Sequence, residues 1–288
     1  MGKYIICVDA SADLKEEFIK EHEIHCVPMQ YSLGEDMRTS LGFEKDETIK
    51  MFYDGQRQGD MTKTTQITPF MYEEFFDEYL SKGYSVLYLA LSSGLSSTYN
   101  SACLAAQNLK EKYPDVDLFP IDSLSATGGM NVLTEKMVEN KAKGLSIEEN
   151  RDDILNLVKH IHHWFFVQDL MYLKRGGRVG SATAMVGSLL GIKPVLEIDE
   201  NGKLINISKK RGNKIAVMAL IEYFKEFYDE KYCSVVYITD ADCKDLSDFL
   251  KEELLKIYPT LVIKQTSLSP IIGAHTGPGA LTLCHLGK

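Results

Sequence analysis

Three times within its first 130 residues the chain passes from a short apolar, β-prone run through a small polar loop into a helical pattern. Tyr4 to Val8 leads through Asp9-Ala10-Ser11-Ala12-Asp13-Leu14 into a helix ending near Glu21. Ser85 to Leu91 leads through Ser92 to Thr98, around Gly94, into a helix over 100–112. Asp117 to Ile121 leads through Asp122 to Gly129 into a helix ending near Lys143. Units of this kind in succession predict a mostly parallel sheet covered by helices. Ligands of such sheets collect at the carboxyl ends of the strands, which is where Asp9 and Ser11 fall.

The second loop is the richest in donors. A turn opening a helix leaves several backbone N–H groups without intrahelical partners, and these favour an anion. Ser92, Ser93, Ser96, Ser97 and Thr98 therefore point to a bound carboxylate or phosphate, or else Ser96 or Ser97 simply caps the helix. A comparable loop spans Gly59 to Pro69, with Thr62, Thr64, Thr65 and Thr68. Pro69 opens the next helix, Thr68 is placed to cap it, and Gly83 ends it.

Around these units, Cys26 to Gln30 reads as one strand, 31–47 as turns or a hairpin, and 48–58 as a helix. Ser146-Ile147-Glu148-Glu149 matches a capping box that starts a helix running to about His160. Beyond it, Asp199 to Lys203 has hairpin composition, pairing Val195–Ile198 with Leu204–Ser208. Helices over 213–228 and 244–258 alternate with strands over 234–239 and 261–264. The expected organisation is two α/β domains, 1–160 and 161–288, the first built on a mostly parallel sheet with flanking helices.

Charge and cysteine content narrow the partners and the compartment. Asp and Glu total 41 against 32 Lys and Arg, giving a net charge of −9 without a long basic run, so nucleic acid is excluded as an expected partner. No apolar run reaches the roughly 18–20 residues that span a bilayer, and Asp9 interrupts any signal-peptide core. The six cysteines contain no Cys-x-x-Cys pair, as expected of buried thiols in a reducing cytoplasm.

Common catalytic patterns fit poorly. Gly94-Leu95-Ser96-Ser97-Thr98 fails the last position of the hydrolase nucleophile elbow, and only Asp9 or Asp122 offers itself to orient a histidine such as His275. The phosphate-binding loop is absent, and Gly277-Pro278-Gly279 lacks the third glycine of the dinucleotide fingerprint. His160, His162 and His163 suggest a metal, but at a helix end contact with the helix dipole is the commoner reason. No metal site is expected. What remains is a set of donors able to hold a carboxylate without reacting with it: hydroxyls at 64, 65, 92 and 93, the imidazole at 275 and the guanidinium at 178. Each also has a purely structural reading, as a loop hydrogen bond, a solvated cation or a core imidazole.

Taken together, Thr64-Thr65-Gln66 before Pro69, Ser92-Ser93-Gly94-Leu95-Ser96, Lys174-Arg175-Gly176-Gly177-Arg178 and Gly273-Ala274-His275-Thr276-Gly277-Pro278-Gly279 resemble the successive motifs of the DegV family. These are bacterial fatty-acid-binding proteins that include the carrier subunits of fatty acid kinase. The resemblance implies a two-domain α/β fold enclosing a long-chain fatty acid, with the carboxylate at the mouth. It implies a non-catalytic carrier with no cofactor, whose acid is phosphorylated with ATP by a separate kinase subunit, and which makes transient membrane contact.

By resemblance Thr64 and Ser93 are the main carboxylate contacts, with Thr65, Ser92, Ser96, Arg178 and His275 around them. Met185, Val186, Leu189, Leu190, Ile192, Val195 and Leu196 are candidates to line the acyl site. The chain departs from the family's usual pattern at Thr65, Ile67 and Thr68, where Ser, Pro and Ser are common, at Ser97 for glycine, and at Ala10 for a hydroxyl residue. The alternative is an enzyme acting on a small phosphorylated or carboxylated metabolite, because the family's fold resembles that of dihydroxyacetone kinase domains.

Overall fold

The computed structural model describes residues 3–178 and 191–288. In the first half the elements are β1 (Tyr4–Asp9), α1 (Glu16–Glu21), β2 (Ile24–Val27), β3 (Met29–Leu33), β4 (Asp36–Ser40), α2 (Asp46–Gln58), β5 (Thr62–Thr65), α3 (Pro69–Leu80), β6 (Ser85–Ala90), α4 (Thr98–Lys112), β7 (Leu118–Asp122), α5 (Thr127–Ala142) and α6 (Ile147–Leu157). Then follow β8 (Ile161–Phe166), α7 (Met171–Arg175), β9 (Ile192–Ile198), β10 (Leu204–Arg211), α8 (Asn213–Phe227), β11 (Val236–Asp240), α9 (Lys244–Ile257), β12 (Ile263–Ser267), α10 (Pro270–Thr276) and β13 (Leu281–Leu286).

The three strand-turn-helix units build one parallel sheet in the order β2-β1-β6-β7. Its strand ends are tied together by Asp9. That fully buried carboxylate accepts hydrogen bonds from the Ser11 amide at 3.0 Å, the Leu91 amide at 2.8 Å and the Tyr88 hydroxyl at 2.9 Å. Burial raises its pKa, while these donors offset part of the penalty. Asp9 and Ser11 thus join strands rather than face a ligand.

Two expectations need correction. Cys26 to Gln30 is not one strand: between Val27 and Met29 stands Pro28, which has no N–H for a ladder, and the chain changes sheets there. β2 stays in the parallel sheet, whereas β3 enters a small antiparallel sheet ordered β4-β3-β5. The supposed loop over 59–69 likewise contains β5, threonine-rich and exposed on alternate residues, as suits an edge strand. The caps hold: Thr68 Oγ1 accepts from the Met71 amide at 3.3 Å, and Ser146 and Glu149 form a reciprocal capping box.

The second sheet is ordered β10-β9-β8-β13-β11-β12, antiparallel except for the β11–β12 pair. Trp164, Phe166 and Val195 face α8 and α9, and Phe165, Leu196 and Ile198 face the first half of the chain. Between the two sheets lies α5, whose residues Thr127 to Thr134 are all buried and which touches β1, β8, β11 and β13. A helix walled in on every side has no need of a polar face, which is why its sequence carries no clear amphipathic stripe. The histidines are redistributed too. α6 ends at Leu157, and His162 and His163 stand on β8 facing opposite ways, so the helix-dipole reading does not apply to them. No group of His, Cys, Asp or Glu among the described residues could hold a metal ion. No helix among them is long and apolar enough to cross a membrane.

Candidate functional site

Where the small antiparallel sheet, the second sheet and the loop after β6 meet, the chain leaves a cavity of about 780 Å³, mouth included. Its walls are largely apolar, with Met29, Leu91, Leu173, Ile198, Leu204 and Ile271 prominent among them.

At the mouth, three separate parts of the chain converge. β5 pairs with β3 so that Tyr31 stands opposite Thr64, and the pleat turns the Thr64 side chain away from bulk water toward α10. His275 lies in the last turn of α10, where Gly277 takes φ +74° and ends the helix. Thr64 Oγ1 and His275 Nε2 are 2.8 Å apart. α7 supplies the third part: after Gly176 and Gly177, Arg178 turns back so that its Nε donates to the Leu95 carbonyl at 3.1 Å and its Nη1 to the Gly176 carbonyl.

Gly176 is needed for this fit. A Cβ there would come within 2.1 Å of His275 Nδ1.

The electrostatics favour an anion. Burial, and then the Arg178 charge, lower the His275 pKa to about 4, so the mouth carries a neutral imidazole beside one guanidinium. Burial also pulls Arg178 down from its ordinary value, yet arginine stays charged under ordinary conditions. Among the described residues no carboxylate pairs with it, and the buried His275 Nδ1 has no hydrogen-bond partner. A histidine so placed, with no acid behind it and a depressed pKa, makes a poor general base, which weighs against the triad tested above.

The predicted residues divide. Thr64, Thr65, Ser96, Arg178 and His275 all line this cavity. Ser92 and Ser93 do not. Ser92 is fully buried and donates to the Gly202 carbonyl at 2.8 Å, gripping the β9–β10 hairpin. Ser93 is exposed, its amide bonded to Asp122 Oδ1 at 3.0 Å. Ser96 receives the Thr98 amide at 3.3 Å and so helps to open α4, whereas Ser97 makes no side-chain cap.

Among the expected acyl-lining residues, Met185, Val186, Leu189 and Leu190 lie outside the described residues. Ile192, Val195 and Leu196 do not line the cavity, which takes Ile198 and Leu204 from the same hairpin instead. Strand alternation accounts for Val195, which belongs to the opposite face. Sequence reasoning also missed Gln66, Phe165, Ile272 and, at the buried inner end, Ala126, Thr127, His163 and Thr282. Thr127 is unusual for a β-branched residue in taking φ +40°.

A family model described as an uncharacterised protein of the DegV family matches residues 3–288. A DegV domain-containing protein of Clostridium perfringens is 34% identical over 287 residues, covering 100% of this chain and 98% of the relative. Among solved structures, a DegV lipid-binding protein from Thermotoga maritima is 31% identical with a TM-score of 0.84, over 99% of this chain and 100% of that one. A fatty-acid-binding DegV family protein from Thermus thermophilus is 26% identical with a TM-score of 0.88, at the same coverage.

Proposed function

The chain belongs to the DegV family, and from that premise we propose that it binds a long-chain fatty acid, tail in the cavity and carboxylate at the mouth. The observation that carries this reading is the meeting of Thr64, His275 and Arg178 at the open end of an apolar cavity with no acidic side chain among its described lining residues. An ionised carboxylate leaving water needs such donors, and Arg178 supplies the matching charge. The tail provides the affinity: about 15 methylenes at roughly 0.8 kcal/mol each give on the order of 12 kcal/mol before the costs of association.

The protein is a carrier that performs no chemistry on the acid. A separate ATP-dependent kinase phosphorylates the carboxylate, and a cytoplasmic setting suits six cysteines that are all free thiols. Loading from a membrane surface completes the proposed cycle.

Denaturing extraction of purified protein followed by mass spectrometry should release a fatty acid in about one-to-one ratio. Protein that carries none and takes up none when it is added would end this reading. Incubation with ATP alone should leave the acid unchanged, and formation of an acyl phosphate without a partner would make the protein an enzyme.

A further inference from the structure

The inner end of the cavity is not wholly apolar. Thr127, His163 and Thr282, each at most 3% exposed, stand there beside Phe165 and Ala126. The threonine hydroxyls are already engaged, since Thr127 Oγ1 donates to Thr239 at 3.2 Å and Thr282 shares a hydrogen bond with the same Thr239. His163 differs. Its Nδ1 lies 3.0 Å from Ser125 Oγ, and its Nε2 has no protein partner among the described residues.

Burial lowers the His163 pKa to about 3, so the ring is neutral and carries one proton. The Ser125 hydroxyl has no other acceptor among the described residues and therefore donates to Nδ1, which fixes the ring proton on Nε2. That leaves one N–H donor facing the space where the fatty acid reading puts the far part of the tail.

We propose that this end of the cavity selects acyl chains bearing an oxygen substituent, a hydroxyl or keto group in the distal part of the tail, which accepts a hydrogen bond from His163 Nε2–H. The inference rests on the fatty acid reading and names the class of acid within it. An unsubstituted tail would cover the donor with methylenes and leave it unpaired. A substituted one would pair it, a difference worth about tenfold in affinity.

The test titrates delipidated protein with stearic acid and with hydroxystearic acids substituted at successive positions, using the natural chain and His163→Leu. At least one positional isomer should bind about tenfold tighter than stearic acid to the natural chain. The leucine variant should lose that preference, binding the favoured isomer no more tightly than stearic acid. Stearic acid binding tighter than every isomer, or a preference that survives in the variant, overturns the proposal.

Imidazole nitrogen spectra of the natural protein provide a readout independent of how the variant folds. The preferred isomer should shift the His163 Nε2–H resonance well beyond the effect of stearic acid, and equal shifts overturn the assignment. Binding without preference defeats this inference alone, whereas failure of every acid to bind defeats the fatty acid reading with it.

Discussion

The hydroxyl-rich segments Ser92–Thr98 and Thr62–Thr65 look alike in sequence but do different work. In the first, Ser92 and Gly94 are committed to the β9–β10 hairpin: Ser92 donates to the Gly202 carbonyl, and a Cβ on Gly94 would meet that oxygen at 2.4 Å. In the second, Thr64 shares a hydrogen bond with His275 and faces an open cavity. A hydroxyl is a site residue only if the fold leaves it something outside the protein to bind. The lesson is that donor-rich composition locates loops, and packing decides which of them remain available.

The sharpest way to break this contrast is Gly94→Ala. The added methyl runs into backbone, which cannot swing aside, so a loss of about 3 kcal/mol in unfolding free energy is expected. Denaturant melts in which this variant matches the natural chain would show that the hairpin is not seated on the loop as described.

Next in size is Arg178→Ala, which should weaken fatty acid binding about a hundredfold because the carboxylate loses the one guanidinium among the described lining residues. Calorimetry with a loss under fivefold would remove Arg178 from the headgroup site.

A smaller pair tests the comparison directly. Thr64→Val should cost about fivefold in affinity and little stability, whereas Ser92→Ala should cost about 1 kcal/mol of stability and leave affinity unchanged. Equal affinity losses in the two variants would erase the distinction.

The smallest expected effect is on pH. With His275 near 4 in the empty protein, a bound carboxylate raises its pKa, so binding takes up protons and affinity should climb by less than tenfold as pH falls from about 7.5 to about 5.5. The same depressed pKa works against the empty fold: below the unfolded value near 6.5 the unfolded chain takes the proton first, so this histidine's contribution to stability falls toward pH 4. A flat binding profile would mean that the headgroup does not touch the imidazole.

Much of the architecture was legible because its signals are local. Strand-turn-helix units, the capping box at Ser146, Pro69 at a helix start and the hairpin around Asp199 each rest on neighbours within a few residues. What escaped depends on distant partners. Nothing near Thr62–Thr65 reveals that β3 will pair with it, and nothing near Ser92 reveals Gly202. The inner residues were hidden for a further reason. Thr127, His163 and Thr282 come from α5, β8 and β13, and no spacing in one stretch of chain encodes their meeting.

β13 sits between β8 and β11 in the middle of the second sheet, pairing Leu281 with Phe166 across more than a hundred intervening residues. Chain closure over such a span is slow, while the β9–β10 hairpin can zip up within microseconds. During folding, β8 and β11 therefore stand for a time as two unguarded edges, inviting a neighbouring molecule's strand to fill the gap. Pulse-labelled hydrogen exchange should find Thr282 and Leu283 protected well after Leu196. Dilute, cool refolding should recover more folded protein than crowded refolding does.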